Sequence, residues 1–314
     1  MIINEKNINE RYKQNIFINS PNFESNIQII LDKIVNENIS PFFSIVIPIH
    51  NQESIIVKNI QSVLNNTSEK YYEIILIIDA CSDNTELNLL NWIQNINLEN
   101  FKLLNKIIIL KSEIPLFETS ADNLGFFCSS GEYILEIQSD MEMIMYGYNM
   151  KLLIPFLKND QIIGISGRCC HNYKSTIGCG KLGLDCIKNL IDLPNIDINS
   201  YYIGETCNRG PLLLNKHKLK ELGFLDEVNY FLDNSDHDLF ARAFFTKKWI
   251  CGYVPIDVYS PLEDGSTRKP RNILNQKYYN IKIQLTQNSI NGFLKKNINN
   301  IPYRDIIQYN LYTD

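Results

Sequence analysis

The sequence predicts an α/β domain: a Rossmann-like, mainly parallel central sheet with helices on both faces, plus helical N- and C-terminal extensions. Three observations carry this. Short apolar, β-branched runs recur between residues 43 and 137, and segments with helical spacing of their apolar residues alternate with them. The runs are mostly apolar rather than alternating, as in strands buried on both faces. Polar turns follow them, at the strand ends where open α/β sheets hold their ligands.

The elements run in order. Phe43-Ser44-Ile45-Val46-Ile47 is the first strand, closed by Pro48. Ile55, Ile56, Asn59, Ile60, Val63 and Leu64 then recur at helical spacing. Glu73 to Ile78 is the second strand and Thr85 to Ile96 the second helix. Lys106 to Leu110 is the third strand, Ser120 to Ser130 a helix stopped by Gly131, and Tyr133 to Ile137 the fourth strand. This βαβαβαβ order implies a parallel sheet. Beyond residue 150 the pattern loosens. Ile162 to Gly167 reads as a strand, residues 168–203 as a long loop region, Lys216 to Leu222 and Asp236 to Lys247 as helices, and Trp249 to Val254 as a strand. At the N-terminus, Ile27, Ile30, Leu31 and Ile34 predict an amphipathic helix over Asn22 to Asn36, broken by Ser40-Pro41. The tail from Asn272 reads as mainly helical, with a last helix over Tyr303 to Asn310. The expected divisions are therefore 1–40, 41–265 and 266–314.

Composition narrows the function. The chain is 45% hydrophobic and 11% aromatic, enough for a sizeable core and too apolar for disorder. A formal net charge of −5 argues against a dedicated nucleic-acid binder, which would carry a basic face. No stretch reaches the roughly 20 apolar residues of a membrane helix, and MIINEKNINERYKQ lacks the apolar core of a signal peptide. The expectation is a soluble cytoplasmic protein whose eight cysteines are reduced thiols.

The polar turns hold the candidate chemistry. The first strand ends in Pro48-Ile49-His50-Asn51-Gln52-Glu53 and the second in Asp79-Ala80-Cys81-Ser82-Asp83-Asn84-Thr85. Asp79, at a strand's carboxyl end, is placed to accept hydrogen bonds from a base or ribose; Asp83 either shares that role or caps the next helix. The fourth strand delivers Gln138, Ser139, Asp140 and Glu142 at its tip. Carboxylates there suit Mg²⁺ or Mn²⁺, which prefer oxygen ligands and share them with a diphosphate. Asp236 stands at a loop-to-helix junction, where a carboxylate can take a proton from an acceptor hydroxyl or simply favour the helix dipole. Asp238 reads as a cap or as the partner of Arg242 at i+4.

Taken in order, SIVIPIHNQE, IIDACSDNT, GEYILEIQSDMEM, GFLDE and NSDHDLFARA resemble the family 2 glycosyltransferases, over about residues 43 to 265. The resemblance implies a GT-A fold and mostly inverting, nucleotide-sugar-dependent transfer. It implies a nucleotide-binding half over 41–142 and an acceptor half over 143–265. It assigns the Pro48 to Glu53 turn (Pro48, His50, Asn51, Glu53) and Asp79 to the nucleotide, Asp140 to the metal and diphosphate, and Asp236 to the general base. The chain departs from the pattern in four places. Gln138 takes the first place of the usual D-x-D, Asp122 stands where a basic residue usually precedes Asn123, and Ser235 replaces an acid. A His expected after the last core strand is absent, with Tyr259, Ser260, Glu263 or Asp264 in that region.

Weaker candidates remain. Arg209, in Cys207-Asn208-Arg209-Gly210-Pro211, faces substrate or forms a surface salt bridge. Arg268, Lys269 and Arg271 either close over a diphosphate or form a solvated basic loop. Cys169, Cys170, His171, Cys179 and Cys186 fit no standard zinc spacing. The leading reading is an inverting, metal-assisted transferase using a nucleotide-diphosphate sugar, with a glycan, lipid or protein acceptor. The alternatives are a catalytically impaired GT-A protein that binds nucleotide sugar or serves as a scaffold, and a sugar nucleotidyltransferase. The last would carry a Gly-rich basic loop after the first strand, where Pro48-Ile49-His50-Asn51 stands.

Overall fold

The computed structural model describes residues 27–174, 180–184, 196–230, 232, 234–260 and 288–313. The first half alternates as its pattern requires. Strands β2 (Phe43–Ile49), β3 (Tyr72–Asp79), β4 (Leu104–Ser112) and β5 (Tyr133–Glu136) are separated by helices α1 (Ile56–Asn66), α2 (Thr85–Asn95) and α3 (Phe117–Cys128). After a short β6 (Glu142–Met143) come α4 (Tyr148–Lys158), β7 (Ile162–Ser166), β8 (Cys169–His171), β9 (Lys181–Gly183), β10 (Ser200–Gly204), β11 (Thr206–Cys207) and β12 (Leu212–Asn215). Then follow α5 (Lys216–Glu221), α6 (Ser235–Lys247), β13 (Ile250–Tyr253) and β14 (Val258–Tyr259).

The main sheet has the order β1-β4-β3-β2-β5-β12-β7-β13-β10-β15, where β1 is Ile27–Ile34 and β15 is Ile307–Asn310. Following the pairings across it, β2, β3, β4, β5, β7, β13 and β15 share one direction, while β1, β12 and β10 oppose them. The sheet is thus mostly parallel, with β12 inserted antiparallel between β5 and β7. Two smaller sheets, β11-β8-β9 and β14-β6, sit beside it.

Alternation along the strands divides the core in two. Ile45, Ile47, Ile74, Leu76, Ile107 and Ile109 face one way and pack with residues of α1, α2 and α4. Val46, Ile75, Ile77, Ile108 and Leu110 face the other way and pack with α3 and α6. Helices cover both faces, so both sets of side chains are buried, which explains the mostly apolar runs. In α3, Gly125 lets the helix touch the sheet: a Cβ there would lie 2.2 Å from Val46 Cγ1. Among the described residues, no helix is long and apolar enough to cross a membrane.

Both predicted helical ends need correction. Residues 27–34 are a strand that pairs antiparallel with β4, from Ile27 opposite Ser112 to Ile34 opposite Lys106. The i, i+3, i+4, i+7 spacing gave way because β4 would otherwise leave a bare edge whose N–H and C=O groups need partners. At the other end, 307–310 is not a helix but β15, paired with β10; the described tail holds only one short α-helix, α7 (Phe293–Asn297), and 3₁₀ turns. The expected loop region over 168–203 contains β8, β9 and β10, while α4 and β12 have no counterpart in the sequence reading.

Candidate active site

The site is built where the strands of the first half end. The loops after β2 and β3 are laced together. His50 Nδ1 lies 2.7 Å from the Asp79 carbonyl oxygen, and Asn51 Oδ1 accepts the Ser82 N–H at 2.8 Å. Asp83 Oδ2 accepts the Glu53 N–H at 3.1 Å, while Glu53 Oε2 accepts the Asn84 N–H at 2.9 Å. Asp83 Oδ1 also takes the Thr85 N–H at 3.0 Å, closing the first turn of α2. The acids of these two turns therefore hold one loop to the other. Pro48 sits within β2, opposite Ile77.

Asp79 ends β3 and is buried. Its two oxygens accept the N–H groups of Leu116, at 2.6 Å, and Phe117, at 3.0 Å. It therefore fixes the start of α3, where Phe117 adopts a left-handed φ of 60°. Burial pushes its carboxyl up to about 6, against the pull of these N–H donors and His50.

The tip of β5 is held from α1. Asn59 Nδ2 donates to the carbonyl oxygens of Gln138, at 3.0 Å, and Met141, at 2.6 Å. Those bonds close the turn that carries Ser139 and Asp140, both buried. Gln138 donates to Glu118 Oε1 at 2.8 Å and accepts from Arg168 Nη1 at 3.1 Å. Glu142, half-buried in β6, pairs with Tyr259 of β14, so the segment expected to stand in for the missing His lies beside the carboxylate tip.

Next to this tip stands a buried cluster of acids around one arginine. Arg209 Nη1 pairs with Asp122 Oδ2 at 2.6 Å, and Nη2 donates to the Leu232 carbonyl oxygen at 2.7 Å. Arg209 is 4% exposed, so the expected surface salt bridge is instead a buried one. The Arg209 N–H donates to Asp236 Oδ2 at 3.1 Å, and the Gly210 N–H to Glu136 Oε2 at 2.7 Å. Asp236 Oδ1 accepts the His237 N–H at 2.8 Å. Burial raises the Asp236 carboxyl, but His237, the Arg209 guanidinium and the two N–H donors outweigh it and leave it below the usual range. Burial pushes Asp122 up to about 7 despite Arg209, and lifts Glu136 well above the carboxylate range, helped by Asp122.

Asp238, one residue beyond His237, has a different role. Its Oδ2 accepts from Arg242 Nε at 2.7 Å and its Oδ1 from the Leu294 N–H at 2.8 Å, tying α6 to α7. The GFLDE segment is likewise a tie: Glu227 accepts from Asn123 Nδ2 at 2.5 Å and from Ser120 Oγ at 3.1 Å.

The donor set for a divalent cation is a small one. Mg²⁺ is commonly held by one or two carboxylates, with phosphate and water supplying the rest. Asp140, with Glu142 two residues on, meets that minimal protein share. Among the described residues, no group of three or more His, Cys, Asp and Glu side chains is arranged to hold a metal. Cys179 and Cys186, and Glu263, Asp264, Arg268, Lys269 and Arg271, lie outside the described residues.

The sequence reading missed Asn59 as a support, and Glu118, Glu136 and Arg168 as members of the site. Two of these left a signal. Asn59 is a polar residue on an otherwise apolar helix stripe, and Glu136 is an acid inside an apolar strand; each is fully or nearly fully buried and hydrogen-bonded.

Residues 44–169 match the family model described as Glycosyl transferase family 2. No curated protein matches the chain. Among solved structures, GalNAc-T7 with UDP, GalNAc and Mn²⁺ aligns with a TM-score of 0.53 at 16% identity, over 70% of this chain and 43% of that one. The mannosyltransferase PcManGT from Pyrobaculum calidifontis, with GDP-Man and Mn²⁺, aligns with a TM-score of 0.49 at 12% identity, over 80% of this chain and 62% of that one. S. aureus TarS 1-349 with UDP-GlcNAc gives 0.48 at 15% identity, over 80% and 67%. The chain thus spans less than half the length of GalNAc-T7 and about two thirds or less of the others. Residues 44–169 thus resemble glycosyl transferase family 2, and the sheet order and the likeness to GalNAc-T7 show a GT-A fold.

Proposed function

We propose that the chain transfers a sugar from a nucleotide-diphosphate sugar to an acceptor hydroxyl, with inversion, and that Asp236 is the general base. One observation carries the reading: Asp236 is a buried carboxylate at the start of α6, with each oxygen aimed by a backbone N–H; His237 and Arg209 hold its carboxyl below the usual range. An ionised carboxylate so fixed can accept the hydroxyl proton as the acceptor oxygen bonds to the anomeric carbon. The bond from that carbon to the diphosphate breaks, and the nucleoside diphosphate leaves with the electron pair. A single displacement of this kind inverts the anomeric centre.

The laced turns after β2 and β3 would take the nucleotide through His50, Asn51, Glu53, Asp79 and Asp83, with Gln138 and Ser139 beside the sugar-diphosphate. GalNAc-T7 was solved with UDP and Mn²⁺, which favours a uridine donor as the first to try. Asp140, with Glu142, would hold Mn²⁺ or Mg²⁺, which when bound neutralises charge on the leaving diphosphate. Arg268 and Lys269 are proposed as further phosphate contacts.

A second reading, a nucleotide-sugar-binding module without turnover, is favoured by Gln138. This amide, bonded to Glu118 and Arg168, stands where the family pattern has a carboxylate. Donor hydrolysis separates the two readings, with UDP-GlcNAc and GDP-mannose as probes in the presence of Mn²⁺. The transferase reading expects turnover by the native chain. It expects Asp236→Asn to bind UDP normally while turnover drops about 100-fold to 10,000-fold. Near-normal turnover by Asp236→Asn removes Asp236 from the base role; UDP binding without turnover by the native chain favours the binding module.

A further inference from the structure

We propose that Arg209 is the positioning residue for Asp236, and that the Asn208–Pro211 turn it fixes joins the base to the tip of β5. The proposal rests on the reading of Asp236 as the base.

The turn is held at successive groups. The Arg209 N–H aims Asp236 Oδ2, and the next N–H, of Gly210, goes to Glu136 Oε2 at the end of β5. The Arg209 carbonyl oxygen accepts from Arg168 Nη1 at 3.0 Å, and the same nitrogen donates to Gln138 Oε1 at 3.1 Å. Gly210 has a φ of 60°, and a Cβ there would lie 2.6 Å from Gln138 Cγ, so the turn packs directly on the β5 tip. The Arg209 side chain locks this arrangement from within, through Asp122 on α3 and the Leu232 carbonyl oxygen.

Charge makes an arginine necessary here. Asp122, Glu136 and Asp236 are each no more than 6% exposed. The groups that face the base are Arg209, His237, Asp122 of α3 and Cys207 of β11, and Glu118 and Glu136 face the same arginine. Asp122 Oδ1 and Glu136 Oε1 have no hydrogen-bond partner among the described residues, so the cluster holds more carboxylate than donors. A buried carboxylate without a cation takes a proton rather than stay charged. His237 and the Arg209 guanidinium together favour the ionised form of Asp236, while the main chain of Arg209 decides where that carboxylate points.

The test reads Asp236 directly. Carboxyl-¹³C aspartate is incorporated into the full chain, and the Asp236 resonance is assigned by its loss in Asp236→Asn. In Arg209→Gln its titration midpoint should rise by about one unit. Arg209→Lys, which keeps the charge, should leave it within about half a unit of native. An unchanged midpoint in Arg209→Gln, or an equal rise in Arg209→Lys, overturns the proposal. Should Arg209→Gln not fold, Arg209→Met, an unbranched side chain without charge, carries the same test: the midpoint must rise, and no upward movement overturns the idea. If Asp236→Asn retains turnover, the base reading itself fails whatever the titration shows.

Discussion

Asp236 and Asp238 stand two residues apart in the first turn of α6, yet their surroundings assign them different work. Asp238 is fully consumed by Arg242 and the Leu294 N–H, so Asp238→Asn should lower stability and leave UDP affinity unchanged. Thermal unfolding and calorimetry on the same sample check this; weaker UDP binding with an unchanged melting temperature would show the roles misassigned. Asp140 is argued on the same scale. It is buried in a turn closed by Asn59, so the backbone that carries its carboxylate is held. Mn²⁺ should therefore strengthen UDP binding to the native chain, and Asp140→Asn should abolish most of that enhancement while leaving metal-free affinity unchanged. An equal enhancement in the variant would place the metal elsewhere.

Between elements, the carboxyl ends of the strands are joined side chain to backbone. Asn51, Ala80 and Phe117, on the connections after β2, β3 and β4, all adopt left-handed φ values, of 52°, 44° and 60°. Such conformations persist only where surrounding bonds fix them, and they gather at functional sites. Asp79 supplies two of those bonds, to the backbone that opens α3. Hydrogen bonds to a charged group contribute about 1.5–3 kcal/mol each, so Asp79→Ala should cost about 3 kcal/mol or more in urea unfolding. If Asp79 also touches the nucleotide, UDP affinity falls with stability; loss of stability alone would make it purely a tie. How much of this was legible in the sequence follows from the same distinction. β2 to β5 and their helices were readable because each buries a local periodic pattern. β1, β8, β10, β12 and β15 are short or weakly patterned, and they are strands only because strands distant in the chain pair with them. The site divided likewise: Asp79, Asp140 and Asp236 stand at strand or helix ends that local pattern reveals. Arg209, Glu136 and Arg168 meet only because the Asn208–Pro211 turn, β5 and β7 converge, with β12 lying between the two strands.

At the scale of the whole molecule, an acidic chain has buried several of its carboxylates, and that links its stability to pH. Asp122 is raised from 3.8 to about 7, by burial first. A raised acid keeps its proton in the folded state at pH values where the unfolded chain has lost it. Its contribution is therefore fully present below the unfolded value and is lost as pH rises through the folded one. Asp79, raised to about 6, acts in the same direction. His171, which burial lowers to about 4, opposes them, because the unfolded chain then binds the extra proton. The raw stability profile mixes these groups, so the informative quantity is the difference between two chains. Asp122→Asn keeps the shape and removes the titration. Its stability relative to native, from urea unfolding at each pH, should grow steadily from about pH 4 to about pH 7 and then level off. Asp236, held below its ordinary range, is present unchanged in both chains and cancels. A difference that stays flat across this window would mean that Asp122 is already ionised at pH 4 in the folded chain, with Arg209 winning over burial.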